Sequence, residues 1–360
     1  MKLAFPHMGH LHIVLKELFT GFGCQVLETP PITKKTLELG AKYSPETVGL
    51  PFKMTLGNFI EALEQGADTL VTCGGVGPCR LGYYSEVQKG ILQQLGYPFK
   101  LITVEPDLIA VVKDLRLLAA GKSWREIYRS FKQAGAKMAA LDNIERQLNL
   151  IRPREVVAGS AGQLGFQAIQ AIDGAAGLAE IQRIEEKTLA ALQALAQRQY
   201  EPLRIGLVGE IYVMLEPFIN QDLERRLGQM GVEVHKTMYL SDYVRAHLLR
   251  KREYLETYKT LAALAKPYLG HYVGGHGLKS VARTIQMGQQ SYDGVIQAYP
   301  FTCMPEVIAK NILPQVSKDL DIPVLTLAYD EQSGEAGLMT RLEAFVDLLH
   351  YRRRQKKAGC

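Results

Sequence analysis

No uninterrupted apolar run in this 360-residue chain is long enough to span a bilayer. The N-terminal stretch Met1 to His7 breaks at Pro6 before a signal-peptide apolar region forms. Both absences predict a cytoplasmic protein. Cysteine is scarce and odd in number: Cys24, Cys73, Cys79, Cys303 and Cys360 are all there is. An odd count in a chain of this size argues against a disulfide framework and for metal or redox chemistry at some of the thiols. No Cys-x-x-Cys pair occurs, which counts against a zinc-stabilised module. A basic stripe is missing too. The net charge is +5, but Arg352, Arg353, Arg354, Lys356 and Lys357 supply five positive charges in the last nine residues. The remaining body is neutral, unlike a nucleic-acid binder, and the tail reads as a solvated helix end. A phosphate loop is also lacking. Gly274-Gly275-His276-Gly277-Leu278-Lys279-Ser280 comes nearest, but Leu278 separates glycine from lysine. ATP hydrolysis is therefore not assigned to this chain. The segment is either an anion-binding loop or a glycine turn with no ligand.

What is present is enough apolar residue, 47%, to bury a core in each of two or three domains. Strand and helix alternate through the first third. Strands are predicted at Leu3 to Phe5, Gln25 to Glu28, Thr69 to Thr72 and Phe99 to Val104. Helices are predicted at Gly9 to Phe22, Lys53 to Gln65 and Tyr83 to Leu95, with glycine at their ends. The last 160 residues repeat the pattern, with strands at Arg204 to Val208, Val232 to His235, Gly294 to Ala298 and Pro323 to Leu327. Helices there are expected at Pro217 to Met230 and Ala336 to Tyr351. The halves also match in detail: Gly23-Cys24-Gln25-Val26 resembles Gly231-Val232-Glu233-Val234, and Asp68-Thr69-Leu70-Val71 resembles Asp293-Gly294-Val295-Ile296. This pattern predicts two Rossmann- or flavodoxin-like, doubly wound parallel-sheet domains, at residues 1–106 and 203–360. Residues 107–202 form a helical segment packing on or bridging them. Ser123-Trp124-Arg125-Glu126 fits a capping box at the start of a helix that stops near Arg152-Pro153, and Ile181 to Gln199 is a second helix.

Parallel sheets place ligands beyond the carboxyl ends of their strands, and two cysteines fall there. In Cys73-Gly74-Gly75-Val76-Gly77-Pro78-Cys79-Arg80, glycines including Gly75 and Gly77 let the backbone bend and turn its amides toward one point. In Tyr299-Pro300-Phe301-Thr302-Cys303-Met304-Pro305-Glu306, proline and aromatic residues stiffen the turn, and Pro305 suits a first helical turn. A single cysteine is more often a buried small hydrophobe. That describes Cys24, and Cys360 is a terminus. Cys79 and Cys303 lie at the functional edge of equivalent strands and are candidate metal ligands. Cys73 is either a third ligand or the last core residue of its strand. Glu210 and Tyr212 follow the first strand of the second domain and face the same cleft by topology. Lys53, Arg80, Glu86 and Glu306 lie near the site, where charged residues at helix starts are commonly just solvated. His7, His10 and His12 are closely spaced, but their spacing mixes helix faces and suits zinc poorly.

Several separated motifs occur in a telling order. They are Ser44-Pro45-Glu46 with Leu50-Pro51-Phe52-Lys53, Gly57-Asn58-Phe59-Ile60-Glu61-Ala62, Gly77-Pro78-Cys79-Arg80-Leu81-Gly82-Tyr83-Tyr84, Pro300 to Glu306, and Thr340-Arg341-Leu342-Glu343-Ala344-Phe345. Together they resemble the 2-hydroxyacyl-CoA dehydratase superfamily, in its acyl-CoA dehydratase activase-related branch, relatives of the double-cubane cluster proteins. The resemblance implies an oxygen-sensitive iron–sulfur cluster between two Rossmann-like domains, bound by cysteines from both. It also implies an ATP-hydrolysing activator that injects a low-potential electron. Cys73, Cys79 and Cys303 would supply three ligands to a [4Fe–4S] cluster and leave one iron open. Lys53, Arg80, His276 and Glu306 would then orient a small ligand or transfer protons, and Glu210 is an alternative fourth ligand. Gly49 stands where some relatives carry a cysteine. With so few cysteines, one [4Fe–4S] cluster per chain, or one shared across a dimer, is expected rather than a double cubane. No segment marks a CoA pocket, so acyl-CoA is one candidate substrate among small molecules. Two other classes compete: a zinc-stabilised binding module with His276 completing a tetrahedron, and a metal-free α/β small-molecule binding protein.

Overall fold

The computed structural model describes residues 1–75, 79–104, 118–119, 121–247 and 252–358. The chain divides into two units, Met1–Ala139 with Leu240–Lys251, and Ala140–Tyr239 with Arg252–Cys360. The first contains β1 (Lys2–Ala4), α1 (Leu11–Gly21), β2 (Gln25–Val26), α2 (Lys34–Tyr43), α3 (Leu50–Glu64), β3 (Thr69–Cys73), α4 (Tyr84–Gln94) and β4 (Lys100–Val104). Its strands are all parallel, in the order β2-β1-β3-β4, with Leu3 opposite Thr69 and Cys73 opposite Val104. The reversal of strand order between β1 and β3 sends right-handed crossovers to opposite faces. Alternating side chains serve both faces. Phe5, just past β1, meets Phe19 of α1 with ring centroids 5.8 Å apart, while Ala4 joins the cluster built on Phe52, Leu56 and Phe59 of α3. Each such fully buried aromatic contributes about 1.5–3 kcal/mol.

The polar helix α2 is not foreseen by hydrophobic periodicity. Thr33 and Thr36 start it with a reciprocal capping box, and α2 approaches α3 backbone to backbone. A Cβ at Gly40 would lie 1.8 Å from the Lys53 carbonyl oxygen, and one at Gly57 2.0 Å from that of Thr36. The pair therefore packs only because both positions are glycine. A 28-residue helix, α5 (Trp124–Ile151), begins in the first unit and ends in the second. Its capping box forms as expected: Glu126 Oε2 accepts from the Ser123 amide at 2.8 Å. It stops at Ile151, before the 3₁₀ turn Arg152–Arg154 that contains Pro153. Two further helices follow, α6 (Ser160–Gly174) and α7 (Leu178–Gln193).

The second unit repeats the sheet of the first. Its strands β5 (Leu203–Gly209), β6 (Val232–Lys236), β7 (Gly294–Pro300) and β8 (Val324–Tyr329) run parallel in the order β6-β5-β7-β8. Intervening helices are α8 (Ile211–Leu215), α9 (Pro217–Asn220), α10 (Leu223–Gln229), α12 (Arg252–Ala265), α13 (Gly277–Gln289) and α14 (Met304–Asp319), with α15 (Glu335–Ala358) last. The segment α11 (Leu240–His247) belongs to the first unit. Here too helices cover both faces. Gly206 of β5 leaves room for Met287 of α13, and Gly294 of β7 leaves room for Phe345 and Leu349 of α15. The chain is thus two doubly wound α/β domains.

The internal repeat extends to atoms. Asp68 precedes β3, its carboxylate accepting from the Lys2 amide at 2.9 Å while its own amide donates to the Lys2 carbonyl. Asp293 does the same to Arg204 before β7. Gly23 and Gly231 both turn into their second strand at left-handed φ, +82° and +80°. One expectation is corrected. Pro217 to Met230 is not one helix but α9 and α10, broken at Gln221 and Asp222, which adopt left-handed φ. Asn220 explains the break, because its side-chain oxygen accepts from the Leu223 amide while its amide group donates to the Val213 carbonyl. Among the described residues, no helix is long and apolar enough to cross a membrane.

Candidate functional site

The topology creates one switch point per sheet, where the loops leaving the first and third strands diverge. In the first unit the loop after β3 carries Cys73 and Cys79. Cys73 is the last residue of the strand and is exposed, so it is not a core residue. Beyond it, the Gly74 amide donates to the Val104 carbonyl at 2.9 Å. Gly75 lies against Gly82, whose Cβ, if present, would come within 2.4 Å of the Gly75 carbonyl oxygen. Cys79 is half-buried at the head of the 3₁₀ turn Arg80–Tyr83, and Arg80 is exposed. Gly77, with Val76 and Pro78, lies outside the described residues.

The loop after β1 holds the histidines. His7 is buried; its amide donates to Asn58 Oδ1 at 3.0 Å and its Nε2 lies 2.9 Å from the Thr29 carbonyl. Burial holds the His7 imidazole below its usual pKa. The His12 ring lies 4.6 Å from it, tilted by 40°, and bonds the Gly9 carbonyl, while His10 occupies the cap position of α1. Lys53 does not line an open cleft: its side chain is buried, with Nζ 3.4 Å from the Glu46 carbonyl oxygen.

The second switch point is richer. Gly209 ends β5 at φ +148°, so close to β7 that a Cβ would sit 1.8 Å from the Ala298 carbonyl oxygen. This places Glu210 beside β7, to which its amide donates at Ala298. Glu210 caps α8, accepting from the Val213 amide at 3.1 Å, and burial raises its pKa. Tyr212 is buried, and burial with Glu216 and Glu210 holds its phenol well above the usual range. After β7 a tight turn follows, in which the Cys303 amide donates to the Pro300 carbonyl at 2.8 Å. Cys303 then caps α14 and remains half-buried, with Pro305 in the first turn as expected.

The glycine segment packs on that same turn. Gly274 and Gly275 adopt left-handed φ, and a Cβ at Gly277 would lie 2.2 Å from the Pro305 carbonyl oxygen. Half-buried His276 caps α13, which begins at Gly277, and Leu278 enters the apolar cluster of α12, α13 and α14. Burial, with Arg283 nearby, lowers the pKa of Lys279.

Glu306 is fully buried. Its carboxylate accepts from Ser280 Oγ at 3.0 Å and from Gln297 Nε2 at 2.8 Å. Burial raises its pKa to about 7; the two donors oppose that shift and Glu210 adds to it. Ser280 and Gln297 were not singled out from sequence. Gln297 at the centre of the apolar strand Gly294–Pro300 was the available signal, because a buried amide demands a partner.

None of Cys24, Cys73, Cys79 and Cys303 is in a disulfide. Cys24 is buried and donates weakly to the Leu118 carbonyl at 3.5 Å, as a small core residue would. Cys360 lies outside the described residues. Among the described residues, no group of three His, Cys, Asp or Glu side chains is gathered to hold a metal ion. A scan against protein-family models finds no match, and a search of the curated proteins finds none.

Proposed function

We propose that this chain is a cytoplasmic iron–sulfur redox component in which Cys79 and Cys303, with Cys73, ligate a [4Fe–4S] cluster. One observation carries the reading. Two sheets of identical strand order each present an accessible thiol on the loop leaving their third strand, Cys79 after β3 and Cys303 after β7. The donor chemistry fits, since thiolates are the usual ligands of such clusters. Cys73 and Cys79 belong to the first unit and Cys303 to the second. When bound, the cluster supplies one-electron chemistry at low potential. The protein's part is electrostatic. The positive end of α14, capped by Cys303, favours the excess negative charge of a thiolate-ligated cluster. An ATP-hydrolysing partner is the proposed electron source, and a small molecule such as an acyl-CoA the proposed acceptor.

A metal-free small-molecule binding protein is the second reading, favoured by the lack of a gathered three-donor group among the described residues. Anaerobic purification followed by iron, sulfide and zinc analysis separates the two. The protein is expected to be brown and to contain iron and acid-labile sulfide. Cys79→Ala or Cys303→Ala removes most of the iron, while Cys24→Ala leaves it in place. Full iron retention in Cys303→Ala would refute ligation by both units.

A further inference from the structure

We infer that Glu306 is a proton-exchanging carboxyl, binding one proton from solvent for each electron delivered to the group held at the Cys303 turn. The inference rests on the iron–sulfur reading above and adds to it a coupling between electron and proton.

The geometry is unusual for a carboxylate. Glu306 stands three residues past Cys303, in the first turn of α14, with no exposed surface. Among the described residues its oxygens receive neutral donors, Ser280 Oγ from α13 and Gln297 Nε2 from β7. Among the described residues no cation pairs with it. The titratable groups that interact with it are Glu210, at the end of β5, and Tyr299 on β7, which also interacts with Cys303. Lys279 on α13 has Arg283 as its electrostatic neighbour instead. A buried carboxylate without a counter-charge is held in balance between its charged and neutral forms. That balance matches the carboxyl's raised pKa.

Such a group responds to charge arriving nearby. One electron from an external low-potential donor adds one negative charge at the Cys303 turn. Like-charge repulsion then drives the Glu306 carboxylate to take up one proton, and oxidation releases it. Charge is conserved locally, since one electron and one proton enter together. Both states have hydrogen-bond partners. Gln297 donates to the carboxylate, and its side-chain oxygen, which has no partner, can turn to accept from the protonated acid. Glu210 is half-buried and so more exposed than this interior carboxyl.

The test is a redox titration of the anaerobically reconstituted full chain from pH 6 to 9, with iron assayed in the same samples. In the wild-type protein the midpoint potential falls by about 59 mV for each tenfold drop in proton concentration between the carboxyl's pKa in the oxidised state and its higher pKa in the reduced state. Glu306→Gln makes the potential independent of pH over that range. Ser280→Ala removes a donor that favours the charged form, so the slope begins at a higher pH; this variant carries the test if Glu306→Gln does not load iron. Iron-loaded wild-type protein with a flat potential overturns the inference and leaves the iron–sulfur reading intact. Absence of iron from the wild-type protein overturns that reading, and the inference with it.

Discussion

Glu306 has a second consequence, for stability, that needs no cofactor. Its pKa is raised from the ordinary 4.5 to about 7 by burial, so the folded state binds the proton more tightly than the unfolded chain does. Below pH 4.5 both states are protonated and the group is neutral to folding. As pH rises through 4.5 to 7 the folded state loses ground, and above 7 it carries the full penalty, on the order of 3 kcal/mol. Glu306→Gln in cofactor-free protein is therefore expected to gain stability over wild type as pH rises from 5 to 8. Urea midpoints at the two pH values measure this, and a difference that stays constant with pH contradicts it. The residue was legible in sequence as a polar position near a cysteine. Its burial was not, because charged residues at helix starts are ordinarily solvated, and only Ser280 from α13 and Gln297 from β7 make an interior site tolerable.

At the scale of elements, a buried charge cluster fixes the second half of α5 to β6. Lys236 ends β6 with its side chain fully buried, paired with Glu145 of α5 and with Glu224 of α10 at 2.9 Å. Burial alone would lower the ammonium's pKa, but the two carboxylates against it hold it above its usual range. Asn149 of α5 bonds Glu224, and Arg146 stacks on Tyr239 at 3.8 Å. Removing the cation strands two carboxylates in the interior, so Lys236→Met is expected to cost about 3–5 kcal/mol. Chemical denaturation of the full chain checks this, and a loss under 1 kcal/mol would show that the cluster is not stabilising. The strands and glycine-terminated helices were readable from local pattern. The helices α2 and α13 were not. The first is polar and held by backbone approach at Gly40 and Gly57, and the second starts inside a glycine segment that reads locally as a turn.

At the scale of the whole molecule, the division of labour is the testable point. The one segment resembling a phosphate loop continues directly into α13, with Leu278 committed to the packing of α12, α13 and α14. That segment follows α12 rather than a strand and has no glycine directly before its lysine, unlike a phosphate loop. The purified chain alone is expected to release no phosphate from ATP, while an ATP-hydrolysing partner accelerates its reduction when ATP is added. Steady phosphate release by the isolated chain would contradict this assignment.

The sequence by itself determined the two-sheet architecture, because strand alternation, left-handed glycines such as Gly23 and Gly231, and the paired Asp68 and Asp293 are encoded within a few residues of where they act. It also placed Cys79 and Cys303 on equivalent loops, since the position of a loop follows from the strand before it. Tertiary structure alone decided which polar residues are sealed. Lys53, Glu306 and Lys236 look alike in sequence to any solvated charge. Their burial depends on neighbours tens of residues away, and desolvation is a property of the packed environment rather than of local sequence.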